Sequence, residues 1–308
     1  MTLQQLEYIV ALDQYRHFVR AAESCGITQS TLSSMIQKLE QELDVTIFDR
    51  SQHPVCPTPL GEEILRQARI ILFNASQMDE LVATHKGQSV GQIRLGITTT
   101  IAPYILPQLF KYMSEHHPQV RLLVEEARSS VIVEKVEKAA IDVAILPTPV
   151  DRPDLLEIPV YREHFVAYVS PQESFYTQHQ LETLSMSSDR VWALREAYCP
   201  NSGAFPFCQC NLCGSIVYEA GSVETLVRTV DANGGYTIIP ELHIPLLSET
   251  QRAHVRTLNN PNPQREIALV IRQDFVRERL LNILADAIKA IVPKQMLDER
   301  IQKFAIKL

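Results

Sequence analysis

The chain has 308 residues, of which 45% are hydrophobic and 21% charged, so it is long enough for two or three globular domains and too apolar to be disordered. Its formal net charge of -7 excludes a protein that binds nucleic acid through bulk positive charge. The N-terminal residues show no basic leader and include Glu7 and Asp13, and no other segment has the apolar length that a bilayer requires. We therefore expect a cytoplasmic protein without a membrane span.

Residues 18–43 are predicted to form two helices joined by a tight turn. Gly26 suits the left-handed position that ends the first helix, and Thr28 or Ser30 suits the N-cap of the second. The second helix repeats apolar residues at spacings of four, three and four, which places them on one buried face. These residues are Leu32, Ile36, Leu39 and Leu43.

The opposite face of this second helix carries short hydroxyl and amide side chains. They are Gln29, Ser30, Ser33, Ser34 and Gln37, together with Lys38. Such groups can approach phosphates and base edges in a major groove, although an ordinary solvated helix face has the same pattern. The first 58 residues contain four Lys and Arg against seven Asp and Glu, so nucleic-acid binding would depend on a few placed groups.

One long helix is predicted from Leu60 to about His85. Its apolar residues alternate at spacings of four and three and form an a/d seam of nearly three heptads. They are Ile64, Ala68, Ile71, Ala75, Met78 and Val82. Such a seam usually packs a helix on its own domain. Here it directly follows a small N-terminal domain, which favours pairing with the same helix of a second copy.

After Gly91 the pattern changes to short apolar runs that alternate with helical stretches. Strands are expected at 93–97, 120–125, 143–146, 165–170, 236–239 and 267–271, and helices near 102–115, 130–140, 222–233 and 276–291. This alternation predicts an α/β sheet whose ligands bind at strand ends, often between two lobes. The tail after Pro293 predicts an amphipathic helix that packs on its own domain, with Met296, Leu297, Ile301 and Phe304 on one side.

Four of the six cysteines fall in the single stretch CPNSGAFPFCQCNLC. They are Cys199, Cys208, Cys210 and Cys213. Turn formers and two prolines separate the first pair, so a loop is expected there. In a reducing compartment, clustered thiols are more often catalytic, redox-sensing or metal-binding than structurally cross-linked. The spacing also suits four soft ligands of zinc or an iron–sulfur cluster, so the residues alone leave redox and metal functions open.

Several N-terminal residues together match a known DNA-binding pattern. They are the FxxAA element Phe18–Ala22, Gln29, Ser30, Ser33, Ile36, Leu39, Glu40, Leu43, Ile47, Phe48, Arg50, Thr58 and Gly61. With them the segment resembles the winged helix-turn-helix of LysR-type transcriptional regulators. The resemblance implies an α/β chain with a DNA-binding domain at 1–58 and a dimerisation helix at 59–90. It further implies a periplasmic-binding-protein-like regulatory domain, with lobe I at 91–162 and 266–308 and lobe II at 163–265.

The regulatory part resembles the peroxide-responsive OxyR branch of this family through Gly96–Pro107, Glu126-Ala127, the Cys199–Cys208 spacing and Ser222–Leu226. The resemblance implies that Cys199 reacts with hydrogen peroxide and that Cys208 resolves the product as a disulfide. It also places Thr100, Ser129 and Arg265 around the reactive thiol. The chain departs from the branch at Tyr198, where a histidine is usual, at Ser129, where a threonine is usual, and at Cys210 and Cys213, which have no assigned role.

The resemblance also implies the partners of the protein. Major-groove contacts are expected from Gln29, Ser30, Thr31, Ser33, Ser34 and Lys38, and backbone contacts near the wing from Arg50 and His53. The protein would be a homodimer or homotetramer on double-stranded promoter DNA, would act with RNA polymerase as an activator of oxidative-stress genes, and would be no enzyme and need no cofactor or metal. The rivals are a LysR-type regulator of a small metabolite, a regulator with metal on the four clustered cysteines, and a thiol enzyme such as a peroxidase.

Overall fold

The structure is a computed structural model that describes residues 1–51, 54–85, 91–183, 191–192, 222–260, 262–275 and 277–307. The chain forms two compact units. The first comprises Met1–Val90 with Lys138–Ala140, and the second comprises Gly91–Glu137 with Ile141–Leu308. Among the helices that the structure describes, none combines the length and the apolar character that crossing a membrane requires.

The described residues of the first unit form four helices and a small two-stranded sheet. These are α1 (Leu3–Tyr15), α2 (Phe18–Ser24), α3 (Gln29–Leu43), β1 (Phe48–Asp49), β2 (Cys56–Pro57) and α4 (Pro59–His85). The predicted turn between α2 and α3 is confirmed, because Gly26 has a φ of +66° and the Thr28 hydroxyl accepts a hydrogen bond from the backbone N–H of Thr31. β1 and β2 pair antiparallel and form the wing.

The core of the first unit lies where α1, α2, α3 and the start of α4 meet. Leu32, Ile36 and Leu39 are buried in it as predicted. Leu43 is not, since 38% of its surface is exposed. The reason is that α3 ends there and Asp44 turns the chain into the left-handed region, so the last turn of the helix extends beyond the core.

The predicted seam of α4 divides between two environments. Ala68 is 1% exposed and packs in the core of its own unit, together with Leu65, which the heptad pattern did not include. By contrast, Ile71 is 38% and Met78 is 68% exposed. Residues in the first turns of the helix therefore stabilise their own domain, whereas Leu60, Ile71 and Met78 present apolar surface to solvent.

The second unit is built on one curled mixed sheet, which confirms the predicted α/β class. Its strands are β3 (Gly91–Thr98), β4 (Val120–Ala127), β5 (Val143–Thr148), β6 (Leu155–Val169), β7 (Gln180–Glu182), β8 (Val191–Trp192), β9 (Tyr236–Pro240), β10 (Val255–Asn259) and β11 (Gln264–Arg272). Their order is β4-β3-β5-β11-β6-β10-β7, and β9 pairs with β6 and β8. β3 is parallel to β4 and β5, whereas β11 is antiparallel to β5 and β6.

Helices cover this sheet at positions close to those predicted. Among the described residues they are α5 (Ala102–His116), α6 (Ser129–Glu137), α7 (Val223–Asn233), α8 (Glu249–Arg252), α9 (Glu278–Ile291), α10 (Glu299–Lys303) and the 3₁₀ helices Glu241–Leu246 and Lys294–Met296. The predicted single tail helix is wrong. The tail is broken between Met296 and Glu299, where Asp298 caps α10, and Phe304 is 69% exposed. Leu297 and Ile301 are nevertheless buried, so the tail does pack on its own unit.

Strand β6 is much longer than the predicted strand at 165–170. Residues 155–164 pair with β11, and residues 165–169 pair with β9 on one side and, at 166–168, with β10 on the other. Opposite Ile267 and Ala268 the register shifts, so that Tyr161 and Pro159 are their partners and Val160 has none. Proline cannot donate to a sheet and is tolerated at such a bulge. The lobe boundaries at 162/163 and 265/266 stay a prediction.

Candidate functional site

The first candidate site is the exposed face of α3. The side chains of Gln29, Ser30, Thr31, Ser34 and Lys38 are exposed, and Ser33 is half-buried. The residues on the other side of the helix are packed in the core, which fixes its orientation within the unit. Short polar side chains on a rigid helix suit close approach to base edges.

The wing beside α3 is held by one carboxylate. Glu40 Oε1 accepts hydrogen bonds from the backbone N–H of Ile47 at 2.8 Å and of Phe48 at 3.2 Å. Its second oxygen, Oε2, accepts from Arg50 Nη2 at 2.8 Å. The guanidinium of Arg50 also lies 5.7 Å from the centroid of the Phe18 ring. Arg50 is therefore engaged with its own domain, while His53, the other predicted wing contact, lies outside the described residues.

The second candidate site is a buried charge cluster in the regulatory unit. Arg265 on β11 stands directly opposite Glu163 on β6, and their side chains are 3% and 0% exposed. Arg265 Nε donates to Glu163 Oε1 at 2.9 Å, and Nη2 lies 2.8 Å from the same oxygen. The ring of Phe165, the next inward-facing residue on β6, lies 5.3 Å from the guanidinium carbon.

The turn before α5, α5 itself and β6 supply the remaining groups of this cluster. Arg265 Nη1 donates to Thr100 Oγ1 at 2.9 Å, and Nη2 donates to the Tyr104 hydroxyl at 3.2 Å. Tyr104 in turn donates to Glu163 Oε1 at 2.7 Å, and its oxygen lies 3.4 Å from that of Tyr161. All these groups are buried. One carboxylate oxygen thus accepts from both the arginine and the tyrosine, whereas Glu163 Oε2 has no hydrogen-bond partner among the described residues.

Burial and the charges of the pair together shift the pKa values of this cluster. Burial is the largest influence on the pKa of Arg265 and lowers it, but the attraction of Glu163, the neighbouring tyrosines and the hydrogen bond to Glu163 together raise that pKa above its ordinary value. Burial, followed by the negative charge of Glu163, raises the pKa of Tyr104 well above its ordinary value. Burial and the neighbouring Tyr104 do the same to the pKa of Tyr161. The arginine therefore stays cationic, and both tyrosines keep their protons at neutral pH.

The structure brings together two of the three residues predicted around the reactive thiol. Thr100 and Arg265 are hydrogen-bonded although 165 residues separate them. Ser129 is the half-buried first residue of α6, and no hydrogen bond joins it to Thr100 or Arg265 within the described part of the chain. Cys199, Cys208, Cys210 and Cys213 lie outside the described residues.

Three members of the buried cluster were missed in the sequence. Tyr104 lies in the matched segment after Thr100, but nothing there marks its hydroxyl as part of a site. Tyr161 and Glu163 belong to the part of β6 that was not predicted. The sequence carries no signal for them, because Arg162, Glu163 and His164 are all polar. The alternation of buried Tyr161 and Glu163 with exposed Arg162 and His164 is seen only in the structure, where it places a carboxylate on the inward face of a strand.

A metal site is not found in the part of the chain that the structure describes, where no three His, Cys, Asp or Glu side chains are grouped to hold an ion. The four clustered cysteines are not among those residues, so this absence does not bear on metal binding by them.

Known proteins resemble this chain over most of its length. The family described as "Bacterial regulatory helix-turn-helix protein, lysR family" matches residues 3–62, and "LysR substrate binding domain" matches residues 86–292. The hydrogen peroxide-inducible genes activator of Haemophilus influenzae is 30% identical over 95% of this chain and 99% of its own length. The HTH-type transcriptional regulator EstR of Acinetobacter baylyi is 31% identical over 94% of this chain and 97% of its own.

A solved structure extends the similarity to three dimensions. Full-length OxyR from Pseudomonas aeruginosa, carrying a cysteine-to-aspartate substitution, is 30% identical and aligns with a TM-score of 0.80, covering 97% of this chain and 98% of that one. Both the helix-turn-helix unit and the sheet of the regulatory unit are included in an alignment of that extent. The chain therefore belongs to the LysR family of bacterial helix-turn-helix transcriptional regulators.

Proposed function

We propose that this protein is a cytoplasmic, DNA-binding transcriptional regulator that senses hydrogen peroxide through a thiol–disulfide switch between Cys199 and Cys208. The observation that carries the proposal is the buried hydrogen bond between Arg265 and Thr100, two residues expected beside the reactive thiol. The name of the Haemophilus influenzae relative, a hydrogen peroxide-inducible genes activator, supports hydrogen peroxide as the signal.

The switch consists of two displacement steps. The Cys199 thiolate attacks one oxygen of hydrogen peroxide, the O–O bond breaks, and the departing hydroxide takes up a proton to become water. The resulting sulfenic acid is attacked by the thiol of Cys208, which forms the disulfide and releases a second water. Two thiols thus supply the two electrons that reduce one peroxide.

Arg265 and its partners would prepare the thiolate for the first step. A permanently charged guanidinium favours an adjacent anion, and a hydroxyl such as that of Thr100 or Ser129 can donate a hydrogen bond to a thiolate or to peroxide. Arginine has five N–H donors. The Nε hydrogen points to Glu163, Nη2 contacts both Tyr104 and Glu163, and Nη1 donates once to Thr100, so the described partners leave one hydrogen on Nη1 for a further acceptor.

The DNA-binding part of the proposal rests on the exposed face of α3. Gln29, Ser30, Thr31, Ser33 and Ser34 would contact base edges and neighbouring phosphates, and Lys38 would contact phosphate. A homodimer or homotetramer would place pairs of α3 on half-sites separated by helical turns of the DNA. The regulated genes would be those of the oxidative-stress response, activated together with RNA polymerase.

The proposal is tested by mapping thiols in the purified protein by mass spectrometry before and after mild peroxide. We expect a Cys199–Cys208 disulfide in the native sequence and none in Cys199→Ser. A double variant, Cys210→Ser with Cys213→Ser, controls for the two additional thiols and is expected to retain the disulfide. Finding Cys199 and Cys208 unlinked after oxidation would overturn the switch.

Two measurements on the same samples separate the rivals. One tightly bound zinc or iron per chain before oxidation would favour the metal-binding cluster. Continuous consumption of peroxide with a reductant, instead of one equivalent per chain, would favour a thiol peroxidase.

A metabolite-responsive regulator remains the second candidate, because the Acinetobacter baylyi relative of equal similarity is named only as a transcriptional regulator. It would respond on DNA to a small molecule, and Cys199→Ser would leave that response intact.

A further inference from the structure

Glu40 occupies the position where the recognition helix α3, the turn before the wing and the wing itself meet. Its side chain is only 11% exposed, although it lies on a helix with a solvated face. Oε1 accepts from the backbone N–H of Ile47 and Phe48, and the backbone carbonyl of Glu40 accepts from Val45. The carboxylate therefore fixes the path of the chain from the end of α3 into β1.

Arg50 is bound on two sides. Its Nη2 donates to Glu40 Oε2, and its guanidinium lies over the ring of Phe18 at the start of α2. A cation over an aromatic ring gains further attraction. The guanidinium thus joins the wing to α3 and α2, the two helices of the DNA-binding motif.

This geometry has a consequence for DNA binding. Each protein cation that neutralises a phosphate releases counterions, so affinity falls as the salt concentration rises. In a plot of the logarithm of affinity against the logarithm of salt concentration, each phosphate contact adds about 0.9 to the magnitude of the slope. A cation already paired with a carboxylate within 2.8 Å brings no net charge to the phosphate. The Glu40–Arg50 pair is therefore expected to add nothing to that slope.

We propose that Glu40 is a positioning residue that orders the wing and neutralises Arg50, so that Arg50 acts as a structural link within the domain and not as a phosphate contact. The proposal rests on the DNA-binding part of the proposed function and is independent of peroxide sensing. Lys38, exposed on α3, is the nearby cation expected to contact phosphate.

The substitution Glu40→Gln isolates the charge. Glutamine keeps the Oε1 acceptor for Ile47 and Phe48, but its amide nitrogen cannot accept from Arg50. The freed guanidinium would then be available to DNA. Arg50→Gln removes the cation and leaves the carboxylate, and Lys38→Gln is the matched control because it removes a nearby exposed cation.

The experiment measures the affinity of the full-length protein for a mixed-sequence DNA duplex at several salt concentrations. We expect Lys38→Gln to lower the salt slope by about 0.9 for each contacting subunit. The double variant Glu40→Gln with Arg50→Gln removes both charges of the neutral pair, so it should keep the native slope and weaken binding at every salt concentration by the same factor, roughly two- to fivefold, as the wing loses its link. Glu40→Gln should raise the slope by about 0.9 per subunit, and adding Arg50→Gln to it should remove that gain.

Two results would overturn the proposal. The double variant Glu40→Gln with Arg50→Gln could lower the slope as much as Lys38→Gln does, which would make Arg50 a phosphate contact. Glu40→Gln could leave the slope unchanged in a protein whose thermal unfolding is native-like, which would show that the carboxylate does not neutralise Arg50. If Glu40→Gln does not fold, thermal unfolding of the protein without DNA decides: Arg50→Gln should lower the midpoint and Lys38→Gln should not, and an unchanged midpoint in Arg50→Gln would show that Arg50 is no structural link. Absence of any DNA binding by the native sequence would instead count against the proposed function.

Discussion

Arg265 and Glu163 form a cross-strand pair between β11 and β6, and the adjacent pair, Glu266 and Arg162, carries the same two charges with the strands exchanged. The first pair faces the interior, with side chains 3% and 0% exposed, whereas Arg162 and Glu266 are 61% and 28% exposed and form a 2.7 Å ion pair at the surface. Because side chains alternate along a strand, one step in register separates a buried charge pair from a solvated one.

The buried pair is expected to be costly to break. Glu163→Gln leaves the Arg265 cation buried without its counter-charge, and we expect a loss of about 3–5 kcal/mol in the free energy of unfolding. Urea unfolding followed by the fluorescence of Trp192, the only tryptophan of the chain, reports on this unit. Glu266→Gln is the matched control and should cost at most about 1 kcal/mol. Equal losses for the two variants would contradict the assigned difference in burial.

Tyr104→Phe is expected to change how stability depends on alkaline pH. The pKa of Tyr104 is raised in the folded state, mainly by burial and also by the charge of Glu163, whereas a tyrosine in the unfolded chain has a pKa of about 10. Its stabilising contribution is thus complete below that pH and is lost as pH rises towards the folded pKa. Above about pH 10 the native protein should lose about 1.4 kcal/mol per pH unit for each such group.

The phenylalanine variant should show two separate effects. At neutral pH it loses the hydrogen bond to Glu163, at a cost of about 1–3 kcal/mol. In alkaline solution the free energy of unfolding of this variant should fall less steeply with pH, by the slope that corresponds to one proton. Unfolding of both proteins between about pH 7 and about pH 11, with Tyr112→Phe on the same helix for comparison, measures both effects. An unchanged alkaline slope in Tyr104→Phe would refute the raised pKa.

Two glycines of the DNA-binding unit should respond differently to alanine. A Cβ at Gly61 would lie 2.1 Å from the carbonyl oxygen of Ile47, so the start of α4 could no longer pack against the turn before the wing. At Gly26 the added atom meets nothing within 4 Å, and only the positive φ is unfavourable. We expect losses of at least about 3 kcal/mol for Gly61→Ala and about 1–2 kcal/mol for Gly26→Ala, measured by the far-ultraviolet helix signal during unfolding. The reverse order would show that the close contact at Gly61 relaxes easily.

The face of α3 should separate sequence recognition from general affinity. Gln29→Ala removes an exposed amide that can contact a base edge, so binding to a specific promoter site should weaken by about 1–3 kcal/mol while the salt dependence stays the same. Lys38→Gln should instead weaken specific and mixed-sequence duplexes alike. Competition between the two kinds of DNA in one titration measures the difference. If Gln29→Ala weakens both duplexes equally, Gln29 does not read bases.

Local signals explain what could be predicted. The helix-turn-helix follows from Gly26, Thr28 and the apolar spacing of Leu32, Ile36 and Leu39, all within a short segment. The first half of β6 lacks such a signal, because Pro159 argues against a strand until the bulge opposite Ile267 and Ala268 is known. Leu43 was assigned to the core by spacing alone, which takes no account of where the helix ends.

The buried cluster could not be derived from spacing. Glu163 and Arg265 are 102 residues apart, and Thr100 comes from a third segment. Thr100 and Arg265 could be predicted only from the family resemblance. It names the residues around a thiol but not the groups that hold Thr100 and Arg265 in place. Glu163 and Tyr104 contact the guanidinium of Arg265. These contacts could not be predicted, because they form only when β6, β11 and α5 come together in the fold.

Because β6 is one continuous strand, it also determines which parts of the regulatory unit should unfold together. Its fifteen residues pair with β11 along one half and with β9 and β10 along the other, and the Asp298 N–H binds the carbonyl of Val160. Amide protons in the middle of such a strand exchange with solvent only when both halves separate from their neighbours. The slowest-exchanging amides of β6, β9 and β11 should therefore share one opening free energy. Heat would then melt both halves of the sheet in a single calorimetric transition.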